Sequence, residues 1–161
     1  MTAYRGRVTI SGNMLAEALS EDVVICDLEA SSALEVIDAL VERFCATGEV
    51  SDCAPAKADV LANEKRSSTG MQHGVAIPHA KTTAVSVLHA AVAVTREPVD
   101  FDSLDGRPCR IFVMTLSPLD SVGPHMKFLA EVGLLFKSKR ARLAILEAET
   151  PAQLLSVFQA G

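Results

Sequence analysis

The sequence predicts an α/β fold: one β-sheet with helices on its faces. Two patterns carry that reading. Short apolar runs with strand character alternate with longer segments whose apolar residues recur at helical spacing. Gly, Pro and Ser/Thr caps fall between them. Tight turns around Pro98 and Gly106 add some antiparallel pairing; how much of the sheet is parallel stays open.

Val8-Thr9-Ile10 is a short, weak strand, followed by a helix near Asn13 to Leu19. Val23 to Cys26 reads as a strand. Ser31-Ser32 caps a helix in which Leu34, Ile37, Val41 and Phe44 form the inward stripe, and Gly48 stops it. Ala54 to Glu64 is a second helix, with Pro55 in its first turn. Lys65 to Gln72 is polar and turn-like. Val75-Ala76-Ile77 is a short strand, Leu88 to Val94 a longer one, and Pro98 and Leu104 to Pro108 mark turns. Ile111 to Leu116 is an almost unbroken apolar run, as expected for a central strand covered on both faces. After the loop Ser117 to Gly123, Pro124 opens a helix to about Phe136 with Met126, Leu129, Val132 and Phe136 on one stripe. A helix follows from Ser138 to Ala148. Thr150-Pro151-Ala152-Gln153 combines a cap, a first-turn proline and a capping-box glutamine for the last one.

A chain of 161 residues suits one domain, here taken as 1–161. With 4% aromatic residues and no Trp, its core must be aliphatic. A net charge of −5 argues against nucleic-acid binding, which needs basic surface to displace counterions. No apolar run is long enough for a membrane span, and the N-terminus lacks the apolar centre of a secretory signal. Cys26, Cys45, Cys53 and Cys109 do not form a CxxC pair and read as reduced thiols of a cytoplasmic protein.

Candidate chemistry centres on histidine. His79 follows a strand and a proline, at the kind of loop end where α/β sheets bind ligands. His125 lies in the first turn after Pro124, where unpaired N–H groups and the helix dipole disfavour an imidazolium and favour an anion such as phosphate. A neutral imidazole is a competent nucleophile and can carry a covalent intermediate. Ser67, Ser68 and Thr69 add hydroxyl donors, and Gly70 and Gly74 allow close backbone approach. Each feature also has a plain reading: His79 as a core-edge residue, His125 as an ordinary helix residue, His73 as a loop residue, His89 as structural. His73, His79 and His125 could instead bind zinc in a hydrolase, although no HExxH-type spacing is present. There is no Walker loop, GxGxxG or GxSxG.

The segment STGMQHGVAIPHAK, residues 68–81, resembles the signature of the mannitol/fructose-type enzyme IIA domain of the bacterial phosphotransferase system, a family that includes nitrogen-regulatory members. SEDVVICDLEASSALEVIDALVERFCATGEV, VDFDSLDGRPCRIFVMTLSP, PHMKFLAEVGLLF and ETPAQLLSVF resemble further family segments in the same order, so the likeness covers about residues 12–159. It implies a mixed sheet flanked by helices and a soluble, cytoplasmic phosphocarrier. The phosphocarrier HPr would pass a phosphoryl group to His79, and His125 beside it would help position that group. The acceptor would be a IIB domain; alternatively the phosphorylation state would govern a regulatory target. No cofactor, metal or nucleic acid is implied, and any membrane role is peripheral to a permease. Thr69, Ser68, Arg66, Asn63 and His73 fall at phosphoryl-binding positions. Two of these positions depart from the family pattern. Asn63 stands where members often carry Arg, with Arg66 a possible substitute, and His73 stands where Asn is usual. A regulatory interaction module with impaired transfer is the alternative within the family.

Overall fold

The computed structural model describes residues 14–160. In chain order they form α1 (Met14–Ala18), a 3₁₀ turn (Glu21–Val23), β1 (Val24–Leu28), α2 (Ala33–Ala46), α3 (Cys53–Arg66), β2 (Val75–Ala76), β3 (His79–Lys81), β4 (His89–Val99), β5 (Cys109–Ser117), α4 (Gly123–Phe136), α5 (Lys139–Glu147) and α6 (Pro151–Ala160). The Val8-Thr9-Ile10 strand expectation lies outside the described residues.

The five strands make one mixed sheet in the order β1-β4-β5, with β2 and β3 both pairing to the far side of β5. β1 runs parallel to β4, β2 and β3 run parallel to β5, and β4 runs antiparallel to β5. β5 is the central strand foreseen from its apolar run: every residue from Ile111 to Ser117 is buried. α2 and α3 pack together, as do α1, α4, α5 and α6, and the sheet lies between them. The core is aliphatic, with Phe44, Phe112, Phe128 and Phe158 as its largest buried side chains.

Caps act where the sequence places them. Ser32 Oγ accepts from the Glu35 N–H at 3.2 Å, and Glu35 reaches back to the Ser31 N–H at 2.6 Å. Gln153 N–H donates to Thr150 Oγ1 at 3.2 Å, while Gln153 Oε1 accepts from Glu149 N–H at 2.8 Å. Ser32→Ala is expected to cost about 1 kcal/mol in urea denaturation; a stability equal to wild type would count against this cap.

Four expectations are corrected. β4 continues through Pro98 to Val99 rather than turning there. Its register with β5 shifts between Val94 and Val99, so the proline, which has no N–H to donate, sits in an irregular stretch of the ladder. The inward stripe of α2 is Val36, Ile37, Leu40, Val41 and Phe44; Leu34 is exposed. The inward stripe of α4 is His125, Phe128, Val132 and Phe136, and Met126 is exposed, because the histidine takes the buried position. Finally, Cys45 and Cys53 form a disulfide, whereas Cys26 and Cys109 are free. The chain turns back between α2 and α3 at Gly48 (φ 76°), bringing the two Cα atoms to 6.1 Å, a proximity that a spacing of eight residues does not announce.

Candidate functional site: two histidines at the edge of the sheet

Pro78 divides the edge strand beside β5 into β2 and β3. Its carbonyl still pairs, accepting from Thr115 N–H at 3.1 Å. Lacking an N–H, it is tolerated at this edge but not inside a sheet. The Ile77 N–H is spent on the Thr69 carbonyl at 3.1 Å, and the Ile77 carbonyl accepts from His79 Nδ1 at 2.7 Å. A carbonyl has no proton to give, so Nδ1 carries the hydrogen. In the neutral ring Nε2 then holds the free lone pair. Sequence reading placed His79 just past a strand; it is in fact the first residue of β3, half-buried and in register with Thr115.

His125 arrives from the helix that follows β5. It is the third residue of α4, after Gly123 and Pro124, and is 6% exposed. Its ring centroid lies 5.4 Å from that of His79, with the planes tilted by 54°. Its Nδ1 is 2.9 Å from the hydroxyl of Ser117, the buried last residue of β5. Burial is the largest cause that holds the His125 pKa below the ordinary imidazole value, followed by the nearby charges of His79 and Lys81. The imidazole is therefore neutral at physiological pH. Because the folded value is depressed, the unfolded chain binds the proton more readily. Stability is present above the unfolded value and falls as pH drops below about 6.5. Carbon-detected NMR titration is expected to show His125 with a midpoint below that value; a midpoint at or above it would contradict the buried neutral ring.

The polar loop ahead of β2 is tied down at nearly every hydroxyl. Glu64, near the end of α3, accepts from the Thr69 N–H at 3.0 Å and from Thr69 Oγ1 at 2.5 Å. Ser68 Oγ donates to the Phe101 carbonyl and accepts from Gly70 N–H at 3.1 Å. Both hydroxyl protons are thus spent, on Glu64 and on the Phe101 carbonyl. Asn63 Nδ2 donates to the main-chain carbonyl of His79 at 2.8 Å, and Arg66 Nη2 donates to Asn63 Oδ1 at 3.1 Å. The pair reaches His79 through its backbone. His73 lies apart, on an exposed turn with φ 64°, its N–H held by Asp105 Oδ2 at 3.0 Å. It has no ring contact with His79 or His125. Among the described residues no group of three His, Cys, Asp or Glu side chains is placed to share a metal ion, so the zinc reading of His73, His79 and His125 lacks its geometry. His89 is structural: its Nδ1 is 3.1 Å from Glu49 and its ring meets Phe44 edge-on.

Sequence reading missed Ser117, taken as the start of a loop, together with Glu64 and Lys81. A signal existed for Ser117: it is a polar residue closing an apolar run. Glu64 acts only through the fold-back of the loop, which no local pattern reveals.

This fold and sequence define a class. Residues 17–161 match the family described as "Phosphoenolpyruvate-dependent sugar phosphotransferase system, EIIA 2", and the chain belongs to that family. It is 31% identical over 146 residues to the fructose-specific EIIABC component of Bacillus subtilis, covering 89% of this chain but only 23% of that protein. It is 33% identical over 114 residues to the fructose-specific EIIA component of Haloferax volcanii, covering 71% of this chain and 74% of that one. The solved nitrogen regulatory protein IIA-Ntr of Neisseria meningitidis superposes with a TM-score of 0.83 at 26% identity, covering 90% of this chain and 99% of that one. The expected mixed sheet flanked by helices is thus the fold of the family. No helix among the described residues is long and apolar enough to cross a membrane.

Proposed function

We propose that this chain is one IIA-type phosphocarrier domain that accepts a phosphoryl group on Nε2 of His79 from an HPr-type donor in the cytoplasm. The observation that carries this reading is the His79 Nδ1–H bond to the Ile77 carbonyl, which leaves Nε2 as the only nucleophilic nitrogen of the neutral ring. In the transfer, the Nε2 lone pair forms a bond to phosphorus while the bond from phosphorus to the donor breaks, its electron pair returning to the donor. Nothing is oxidised or reduced. The proton stays on Nδ1, where the Ile77 carbonyl stabilises the positive charge that builds on the ring.

His125 supplies the complementary group. In the tautomer in which Ser117 Oγ–H donates to Nδ1, the ring proton of neutral His125 sits on Nε2 and can donate to a phosphoryl oxygen. The tilted packing of the two rings fits them acting on one group between them. Around them the surface suits a protein partner rather than a small molecule. Leu119, Val122 and Met126 are exposed apolar side chains on the loop before His125 and on the first turn of α4. The phosphoryl group then passes to a IIB acceptor, or its presence controls binding to a regulatory target. Relatives named for fructose transport and for nitrogen regulation support both outlets.

The test is incubation with phosphoenolpyruvate, enzyme I and HPr, read by intact mass. The expected result is one acid-labile phosphoryl adduct. Its absence with several HPr proteins would sink the carrier reading and leave a regulatory interaction module.

A further inference from the structure

A phosphoryl group on His79 brings about −1.5 to −2 charges to the site. A cation should meet it, and two stand near. Arg66 is engaged by Asn63 Oδ1, and Asn63 is engaged by the His79 carbonyl, so the guanidinium is joined to the main chain of the histidine and not to its ring. Lys81 is placed differently. Side chains alternate along a strand, so His79 and Lys81 project from the same face of β3, with buried Ala80 on the other. In the parallel register Lys81 lies opposite Ser117, the residue whose hydroxyl holds His125. The Lys81 side chain is exposed and has no carboxylate or hydrogen-bond partner among the described residues. Its charge already acts on the His125 ring.

We infer that Lys81 is the phosphoryl-binding cation of this site, its ammonium meeting the oxygens of the group on His79 from the same strand face. The inference rests on the phosphohistidine reading above. A compact ammonium on a flexible stem suits a group that must arrive and leave, because it binds as a point charge without demanding a fixed bidentate geometry.

The experiment measures the ratio of phosphoenolpyruvate to pyruvate at which half the protein is phosphorylated, with enzyme I and HPr present and intact mass as readout. Lys81→Met is expected to raise that ratio about tenfold, the size of one charge-assisted hydrogen bond. Lys81→Arg should recover most of the loss, and Lys139→Met, on exposed α5, should behave as wild type. Raising the salt should shrink the difference between wild type and Lys81→Met. Unchanged half-phosphorylation in Lys81→Met, while wild type is phosphorylated on His79, would overturn the assignment and leave the carrier function standing. So would a shift seen with Arg66→Gln and not with Lys81→Met. A wild-type protein that takes up no phosphoryl group would overturn both readings.

Discussion

His79→Ala is expected to abolish phosphoryl uptake completely while leaving the protein folded. The side chain is half-buried and its only described polar contact is local, from Nδ1 to Ile77, so its removal deletes the nucleophile without opening the core. His125→Ala should behave differently. It leaves Nε2 of His79 in place and removes one proposed donor, so uptake should slow about a hundredfold but still proceed. Circular dichroism on both variants separates loss of chemistry from loss of fold. Rapid-quench mass spectrometry measures the two rates. Uptake in His79→Ala at the wild-type level would place the modified atom elsewhere and dismantle the site as drawn. Equal and complete loss in both variants would make His125 a second essential group rather than an assisting one.

The difference between these variants traces back to what one sequence can and cannot disclose. The strand-proline-histidine succession at Val75 to His79 is a local pattern: it located the break at Pro78, but not the return of the chain to the edge of β5 at His79. The first-turn position of His125 was equally legible, because Pro124 announces the helix start. Their meeting at the end of β5 was not legible from spacing. It depends on β3 pairing beside Thr115 to Ser117 while α4 begins from the same strand end, a long-range arrangement that only the family likeness implied. The phase error in α4 has a related cause. A histidine scores as polar, so periodicity moved the apolar stripe onto Met126, and the buried imidazole was given no place in it. The Cys45–Cys53 pair was missed for the opposite reason. Their spacing is ordinary, and only the turn at Gly48 brings them together.

The loop from Ser67 to Gly70 shows how the fold converts a hydroxyl-rich sequence into geometry. Read alone, SSTG offers donors to a phosphate. In the folded chain Thr69 is consumed by Glu64 and Ser68 by the Phe101 carbonyl, so the loop instead fixes the entry of β2. The Ile77 N–H bond to Thr69 and the bridge between Gly70 and Ala76 complete that anchor. The loop therefore acts on His79 from a distance: it sets where Ile77 lies, and Ile77 sets which nitrogen of His79 is free.

Gly70→Ala is expected to break this chain of positioning. A methyl group at Gly70 would lie 2.6 Å from Ser103 Oγ, 2.7 Å from the Phe101 carbonyl oxygen and 2.8 Å from Ser103 Cα. Two of those atoms belong to the backbone, so a side-chain rotation cannot relieve the contact. The φ of Gly70 is not in the left-handed region, so the demand is for space and not for a special dihedral. Overpacking of this kind costs about 1–3 kcal/mol and occasionally more. The segment 101–103 is also the one that holds Ser68, so the displacement should loosen the loop and, through Thr69 and Ile77, misplace the His79 ring. Two effects should appear together: a lower urea midpoint with an unchanged m-value, and slower phosphoryl uptake under conditions where the variant is still folded. Destabilisation with wild-type uptake would show that the ring is held by Pro78 and Asn63 alone. Wild-type stability would show that the 101–103 segment yields freely, and the loop would lose its role as the anchor of the site.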